Sequence, residues 1–181
     1  QKGGPAINLS KANGQALQQI YVGLGWDVDS VGGVDLDASV ACLNSNDKLL
    51  DHSFFVFYNN LKSPDGSVVH SGDNRTGMGD GDDESVKINL AGIPPQIVKI
   101  LLIVSMHDAR GRTFRNVQNA FFRIVDATTN QETHRCDLSA GQGGNTECLV
   151  FAELLRQPQG WAVNPVCIPV PNLQTIVNNF S

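Results

Sequence analysis

The chain has 181 residues, of which 41% are apolar and 17% are charged. This length and composition are ordinary for a soluble globular protein with a single domain over residues 1–181. No stretch approaches the roughly 18 consecutive apolar residues of a membrane-spanning helix. The start of the chain lacks the apolar core of a signal peptide. At a net charge of −5, we expect no nucleic-acid partner.

Along the chain, apolar residues recur mostly with a period of two, which is typical of β-strands. The predicted strands are Ile7–Leu9, Gln19–Leu24, Ala38–Leu43, Phe54–Tyr58, Val68–His70, Glu84–Asn89, Lys99–Met106, Ala120–Val125, Glu132–Leu138, Thr146–Leu154 and Trp161–Pro165. Turn-forming residues such as Pro64-Asp65-Gly66 and Gln159-Gly160 separate them. Strands of this number and spacing predict an all-β fold, a sandwich of two antiparallel sheets.

Two segments depart from this period. Residues 94–98 contain two prolines and look like the end of a crossing loop with one helical turn. From Asn172 to Phe180, apolar residues stand at positions 173, 176, 177 and 180. That spacing predicts a short terminal helix.

Two acidic clusters account for the negative charge. The first has four acids and no base between them: Asp27, Asp29, Asp35 and Asp37. The second runs from Gly72 to Glu84 and holds five acids and four glycines, with Arg75 as its only base. Nine acids against one base give the two clusters a net −8, which leaves +3 for the rest of a chain whose total is −5. The acidity is therefore local, as expected of a divalent-ion site.

Calcium is the cation that this composition favours. Crowded carboxylates repel one another unless a cation lies among them, and glycines allow backbone carbonyls to turn inward and share the coordination. In a two-sheet fold the loops 27–37 and 73–84 should meet at one end of the sandwich, where a rigid scaffold can hold ion ligands.

The acidic segment allows other interpretations. An EF-hand from Asp73 to Glu84 fails because Arg75, Gly77 and Met78 stand where that loop needs oxygen side chains and a glycine. Zinc is disfavoured because neither cluster contains His or Cys. Magnesium stays open, although it uses fewer protein oxygens, and the bland alternative is a polar loop without a ligand.

Several ordered motifs resemble the TerD family of bacterial tellurium-resistance and stress-response proteins. They are Gly23-Leu24-Gly25-Trp26-Asp27, Asp35-Leu36-Asp37-Ala38-Ser39, Phe55-Val56-Phe57-Tyr58-Asn59, Ser63-Pro64-Asp65-Gly66 and the run from His70 to Glu84. The resemblance extends to about Glu132, and the last fifty residues match less well.

The resemblance implies a calcium-binding β-sandwich without established enzyme activity, which acts with other stress-response proteins, some of them membrane-associated. We expect two bound calcium ions. The widely spaced cysteines favour a cytoplasmic location, with a peripheral position at the inner membrane surface as the alternative. Carried over by position, the side-chain ligands are Asp27, Asp35, Asp37, Asp73, Asn74, Asp82, Asp83 and Glu84, with backbone oxygens from Gly79 and Gly81.

The sequence is also compatible with two other functional classes. A calcium-dependent domain for lipid headgroups or sugars would let the bound ion contact the ligand, and a metal-dependent phosphoesterase would use His107-Asp108 with the acidic loops. Adjacent strand residues point to opposite faces, which argues against a catalytic pair. We interpret His52, His70 and His134 as surface or satisfied strand residues, the Arg110–Arg123 group as a solvated face, and the four widely spaced cysteines as reduced buried thiols.

Overall fold

The computed structural model describes residues 7–8, 18–27, 36–49, 51–57, 60–70, 84–106, 118–127, 129, 131–137, 148–158, 160–170, 175–176 and 178. Within them the strands are β1 Ile7–Asn8, β2 Gln19–Asp27, β3 Leu36–Asn44, β4 Phe55–Val56, β5 Val68–His70, β6 Glu84–Asn89, β7 Ile97–Met106, β8 Gln118–Asp126, β9 Gln131–Asp137, β10 Cys148–Gln157 and β11 Gly160–Pro169. Two short 3-10 helices, His52–Phe54 and Leu90–Gly92, lie between strands. None of the helices in this part of the chain has the length and apolar character needed to cross a membrane.

These strands form two antiparallel sheets. One has six strands in the order β1-β11-β10-β7-β3-β4, and the other has five in the order β5-β6-β2-β8-β9. Every predicted strand overlaps an observed one, so the prediction of an all-β fold with two antiparallel sheets is confirmed.

The sheets face each other across the main core. On β2 the alternate residues Ile20, Val22 and Leu24 are fully buried in this core, because successive strand side chains point to opposite faces. Phe122 of β8 and Phe151 of β10 stack across it with ring centroids 4.1 Å apart.

A second apolar layer covers the outer face of the six-stranded sheet. Leu43 of β3, Ile103 of β7 and Val150 of β10 belong to it, together with Phe55 and Ile176. Strand β7 is therefore buried on both faces, which explains its unbroken apolar run.

The two predicted departures from the strand period are found among the described residues, near the C-terminus and before β7. Thr175, Ile176 and Asn178 are helical, and Ile176 packs on the outer layer. Before β7 the chain crosses between the sheets, and this loop ends in a turn in which the amide of Ile97 donates to the carbonyl oxygen of Pro94 at 3.0 Å. The 3-10 helix Leu90–Gly92 lies just before this turn, and β7 begins at Ile97. The two adjacent prolines thus marked both the break in the strand period and the turn.

Four long connections leave the sandwich at one end, here called the loop end. They are residues 28–35, 71–83, 107–117 and 138–147, and they join β2 to β3, β5 to β6, β7 to β8 and β9 to β10. Within the sheets, Leu24 of β2 is opposite Glu84 of β6, and Leu36 of β3 is opposite Met106 of β7. A hydrogen bond between His70 of β5 and Ala38 of β3 shows that these ends of the two sheets lie together. The opposite end, which contains Ile97 and Arg156, is called the far end.

Candidate functional site at the loop end

Three of the ten predicted calcium ligands lie within the described residues, and all three are at strand termini of the loop end. Asp27 is the last residue of β2, Asp37 is the second residue of β3, and Glu84 is the first residue of β6. The other predicted ligands lie outside the described residues: Asp35, Asp73, Asn74, Gly79, Gly81, Asp82 and Asp83. The two acidic segments thus start or end on strands that share one end of the fold.

Asp37 is the best-defined of these acids. It is 1% exposed and stands opposite Ser105 of β7 in the antiparallel register. It shares a strand face with Ala41 and Leu43, which belong to the outer apolar layer, so its carboxylate lies on that face rather than in the main core. Transfer of a carboxylate out of water is costly unless it gains hydrogen bonds, a proton or a cation.

The neighbours of Asp37 on this face are also polar and buried. Ser39 and Ser105 are 1% and 6% exposed, and the Oγ atom of Ser39 makes no hydrogen bond within the described part of the chain. A buried hydroxyl without a hydrogen-bond partner is uncommon in folded proteins. The loop end of the outer face is therefore polar, next to the apolar residues of the outer layer.

His70 connects the two sheets beside Asp37. Its side chain is 3% exposed, and its Nε2 atom is 3.1 Å from the carbonyl oxygen of Ala38 in β3. Because a carbonyl oxygen only accepts, Nε2 is the protonated donor in this hydrogen bond. His70 is thus a satisfied strand residue, as the sequence suggested, but its cross-sheet role was missed. Val68 lies two residues before His70 and is buried. Because alternate residues of a strand share a face, His70 should point toward the same buried side, and this spacing was the signal for its role.

The turn before β5 is held by the carboxylate of Asp65. Its Oδ1 atom accepts from the Oγ atoms of Ser63 and Ser67 at 2.8 and 2.9 Å, and Gly66 adopts a left-handed φ of 79° in the turn. Burial raises the pKa of Asp65, but the hydrogen bonds from the two serines outweigh it, so the pKa lies below its usual value. The motif Ser63–Gly66 therefore has a structural role, which is to fix the start of β5.

The Arg110–Arg123 group is described only at Arg123, on β8. Its Nη1 atom is 3.2 Å from Oε1 of Glu132, and Arg135 is 3.8 Å from the same oxygen. The guanidinium of Arg135 also lies 4.2 Å from the ring centroid of Phe121. These contacts form an ion-paired surface network on β8 and β9, while the other three arginines, His107 and Asp108 lie outside the described residues.

The remaining titratable candidates in the described residues are suited to structural roles. Cys42 is a free thiol in the main core; its burial, with a smaller contribution from Asp65, raises its pKa to about 12. It is therefore protonated at neutral pH, whereas the thiolate is the reactive form. Burial lowers the pKa of His134. No group of three or more His, Cys, Asp or Glu side chains suited to a metal is found in the described ranges, from which most of both acidic clusters is missing.

Comparison with known proteins gives consistent matches over most of the chain. The family model described as the TerD domain matches residues 1–180. A tellurium resistance protein TerD of Serratia marcescens is 46% identical over 169 residues, which cover 91% of this chain and 86% of that protein. General stress protein 16U of Bacillus subtilis (strain 168) is 42% identical over 168 residues, covering 90% and 86%. The crystal structure of a homologue of telluride resistance protein (TerD) from Streptomyces coelicolor A3(2) has a TM-score of 0.73 at 21% identity, covering 92% of this chain and 99% of that one.

Proposed function

Since this chain belongs to the TerD family, we propose that it is a calcium-binding, non-enzymatic interaction module of a bacterial tellurium-resistance and stress-response system. It is a tellurium-resistance and stress-response protein of the TerD family. The calcium ions, two by our expectation, would be held at the loop end. The partners would be other stress-response proteins, some of them at the membrane surface, and the location would be cytoplasmic or peripheral at the inner membrane.

The observation that carries the proposal is the buried carboxylate of Asp37 at the loop end. The first acidic cluster begins at the end of β2 and finishes on β3, and the second finishes at the start of β6, which is paired with β2. The two acidic segments, which hold nine acids and one base in the sequence, thus start or end on strands at one end of the fold. Mutual repulsion of these charges would be relieved by divalent cations.

The donor set fits calcium better than other metals. The available groups are carboxylates, one amide side chain, hydroxyls such as Ser39 and backbone carbonyls in a glycine-rich segment. Calcium takes six to eight oxygen ligands in a flexible geometry, whereas magnesium requires a near-ideal octahedron and keeps several waters. Bound calcium would lower the repulsion among the acids and stiffen the loop end, which would present a surface to partners.

Thermal unfolding with and without calcium tests the proposal. Binding to the folded state alone stabilises by about 2.7 kcal/mol when free ion is a hundredfold above its dissociation constant, which for a chain of this size raises Tm by about 5–11 °C. Magnesium at the same concentration should have a much smaller effect. An unchanged Tm on adding calcium to chelator-treated protein would refute the central claim, and calorimetric titration would give the number of ions.

Variants at the loop end locate the site. Asp37→Asn, and separately the pair Asp73→Ala with Glu84→Ala, should abolish most of the calcium stabilisation while the metal-free protein keeps its stability or gains some through reduced repulsion. Asp65→Asn is the matched control, because it removes one acid that lies outside the proposed site. Equal loss of calcium response in the control would show a nonspecific effect of net charge.

The two alternative functions make different demands on the ion. A lipid- or sugar-recognition domain needs a calcium position that the ligand fills, and a phosphoesterase needs substrate turnover. Calcium-dependent sedimentation with anionic liposomes would favour the first alternative, and metal-dependent hydrolysis would favour the second. The names of the relatives, which are resistance and stress proteins, support the non-enzymatic module.

A further inference from the structure

We propose that His70 is a positioning residue for the calcium site, which holds the start of the second acidic segment against the strand that carries Asp37. This inference rests on the proposed function. Its basis is the hydrogen bond from His70 Nε2 to Ala38 O, 3.1 Å long, which joins residues 32 positions apart and belonging to different sheets. The donor is three residues before Asp73, and the acceptor is one residue after Asp37.

The acceptor lies at a part of β3 that the neighbouring strand does not reach. Strand β4 has two residues, which pair with Val40 and Ala41. Ala38 lies beyond this pairing, toward the loop end, and its carbonyl accepts from a side chain of the opposite sheet. A buried backbone carbonyl needs a hydrogen-bond partner, and His70 supplies it where β4 does not extend.

The donor is itself fixed by the backbone around it. The amide of His70 donates to the carbonyl oxygen of Leu61 at 2.7 Å, and His70 stands opposite Val86 of β6. With the bond to Ala38, His70 is attached to three separate segments at the point where residues 71–83 begin.

This attachment reduces the cost of assembling the site. The acids of the second cluster must approach the first cluster against strong like-charge repulsion. A hydrogen bond that fixes the two backbones beforehand lowers the conformational entropy lost when calcium binds. Groups that orient metal ligands from outside the coordination sphere typically change metal affinity by 10- to 100-fold when they are replaced.

The inference is tested by calorimetric calcium titration of His70→Phe and His70→Gln. Phenylalanine fills the buried space but cannot donate, so calcium affinity should fall about tenfold, whereas glutamine retains a nitrogen donor and should recover most of that loss. Ile97→Val is the control, because it perturbs the main core at the far end, where His70 makes no contact. It should leave calcium affinity unchanged.

The outcomes separate this inference from the function on which it rests. A parent protein that binds no calcium would refute the proposed function and the inference together. A parent that binds calcium, with a folded His70→Phe variant that binds it equally well, would overturn the positioning role alone. A loss of affinity in Ile97→Val equal to that in His70→Phe would also overturn it, since general destabilisation would then explain both.

A second measurement uses the parent protein and does not depend on whether a variant folds. If the hydrogen bond favours calcium binding, calcium must strengthen the hydrogen bond by the same free energy, because coupling is reciprocal. Nuclear magnetic resonance should show His70 protonated at Nε2 in the metal-free protein, and exchange of that proton with solvent should slow about tenfold on calcium binding. An exchange rate that calcium leaves unchanged would contradict the coupling.

Discussion

Arg156 offers the sharpest test of how the far end is held together. On β10, its Nε atom donates to Ile97 O at 2.9 Å, and its Nη2 atom donates to Ile93 O and Pro94 O at 3.2 and 3.1 Å. Its guanidinium also lies 4.6 Å from the ring centroid of Trp161, its cross-strand neighbour on β11. One side chain thus holds the last part of the connection that enters β7.

The expected cost of Arg156→Met follows from these contacts. Three hydrogen bonds at about 1 kcal/mol each and a cation–π contact of about 0.5–1 kcal/mol set an upper value near 4 kcal/mol. Water can replace some of the lost donors because the side chain is only half-buried, so we expect a loss of about 2–3 kcal/mol. For a chain of this size, that loss lowers Tm by about 4–12 °C.

Urea unfolding of chelator-treated and calcium-loaded protein measures this loss. Arg156→Lys should recover only part of it, because an ammonium cannot donate to three carbonyls in the planar geometry of a guanidinium. Arg123→Met is the matched control, since its ion pair with Glu132 is near the surface and should cost less than about 1 kcal/mol. The reasoning fails if Arg156→Met costs no more than the control, or if it changes calcium affinity, because the residue lies at the end opposite the proposed site.

Two further predictions concern single residues. Because the folded-state pKa of Asp65 is lowered, its contribution to stability should be present above the unfolded-state pKa of about 3.9 and disappear as pH falls through the folded-state pKa. The Tm difference between the parent and Asp65→Asn should therefore close on acidification. A Tm difference that does not depend on pH would contradict this explanation. His107→Gln should leave calcium affinity unchanged, and neither this variant nor the parent protein should hydrolyse phosphate esters with any divalent ion. Reproducible turnover by the parent that is lost in the variant would make the protein an enzyme. The loss would be easy to detect, since general acid–base catalysis is worth about 10²–10⁴-fold.

Local features of the sequence predicted the strands well. The period-two pattern and turn residues such as Gly66 and Gly160 depend on neighbours in the chain, and the observed strands agree with them. Contacts between sheets were less accessible, because they join residues far apart in sequence. His70 and Ala38 are one example. The outer layer is another, since the apolar run of β7 predicted burial but did not identify Ile176 as its cover.

The candidate site was predicted by composition rather than by geometry. Dense acids and glycines predict a cation site because unneutralised charges are costly wherever they lie, so the prediction needs no information on strand pairing. The burial of Asp37 could not be predicted in this way, because it depends on what covers the outer face at the end of β3. Its sequence neighbours Leu36 and Ala38 indicate a strand but not how deeply its second residue is enclosed.

Different contacts hold the two sheets together at the two ends of the sandwich. At the far end, Arg156 ties the β6–β7 crossing to β10. At the loop end, three of the four long connections pass from one sheet to the other, and the fourth, residues 71–83, begins at the cross-sheet bond of His70. Separation of the sheets at the loop end would break the hydrogen bond of His70, whereas separation at the far end would break those of Arg156. Opening of the sheets at the loop end would therefore leave the contacts of Arg156 at the far end intact.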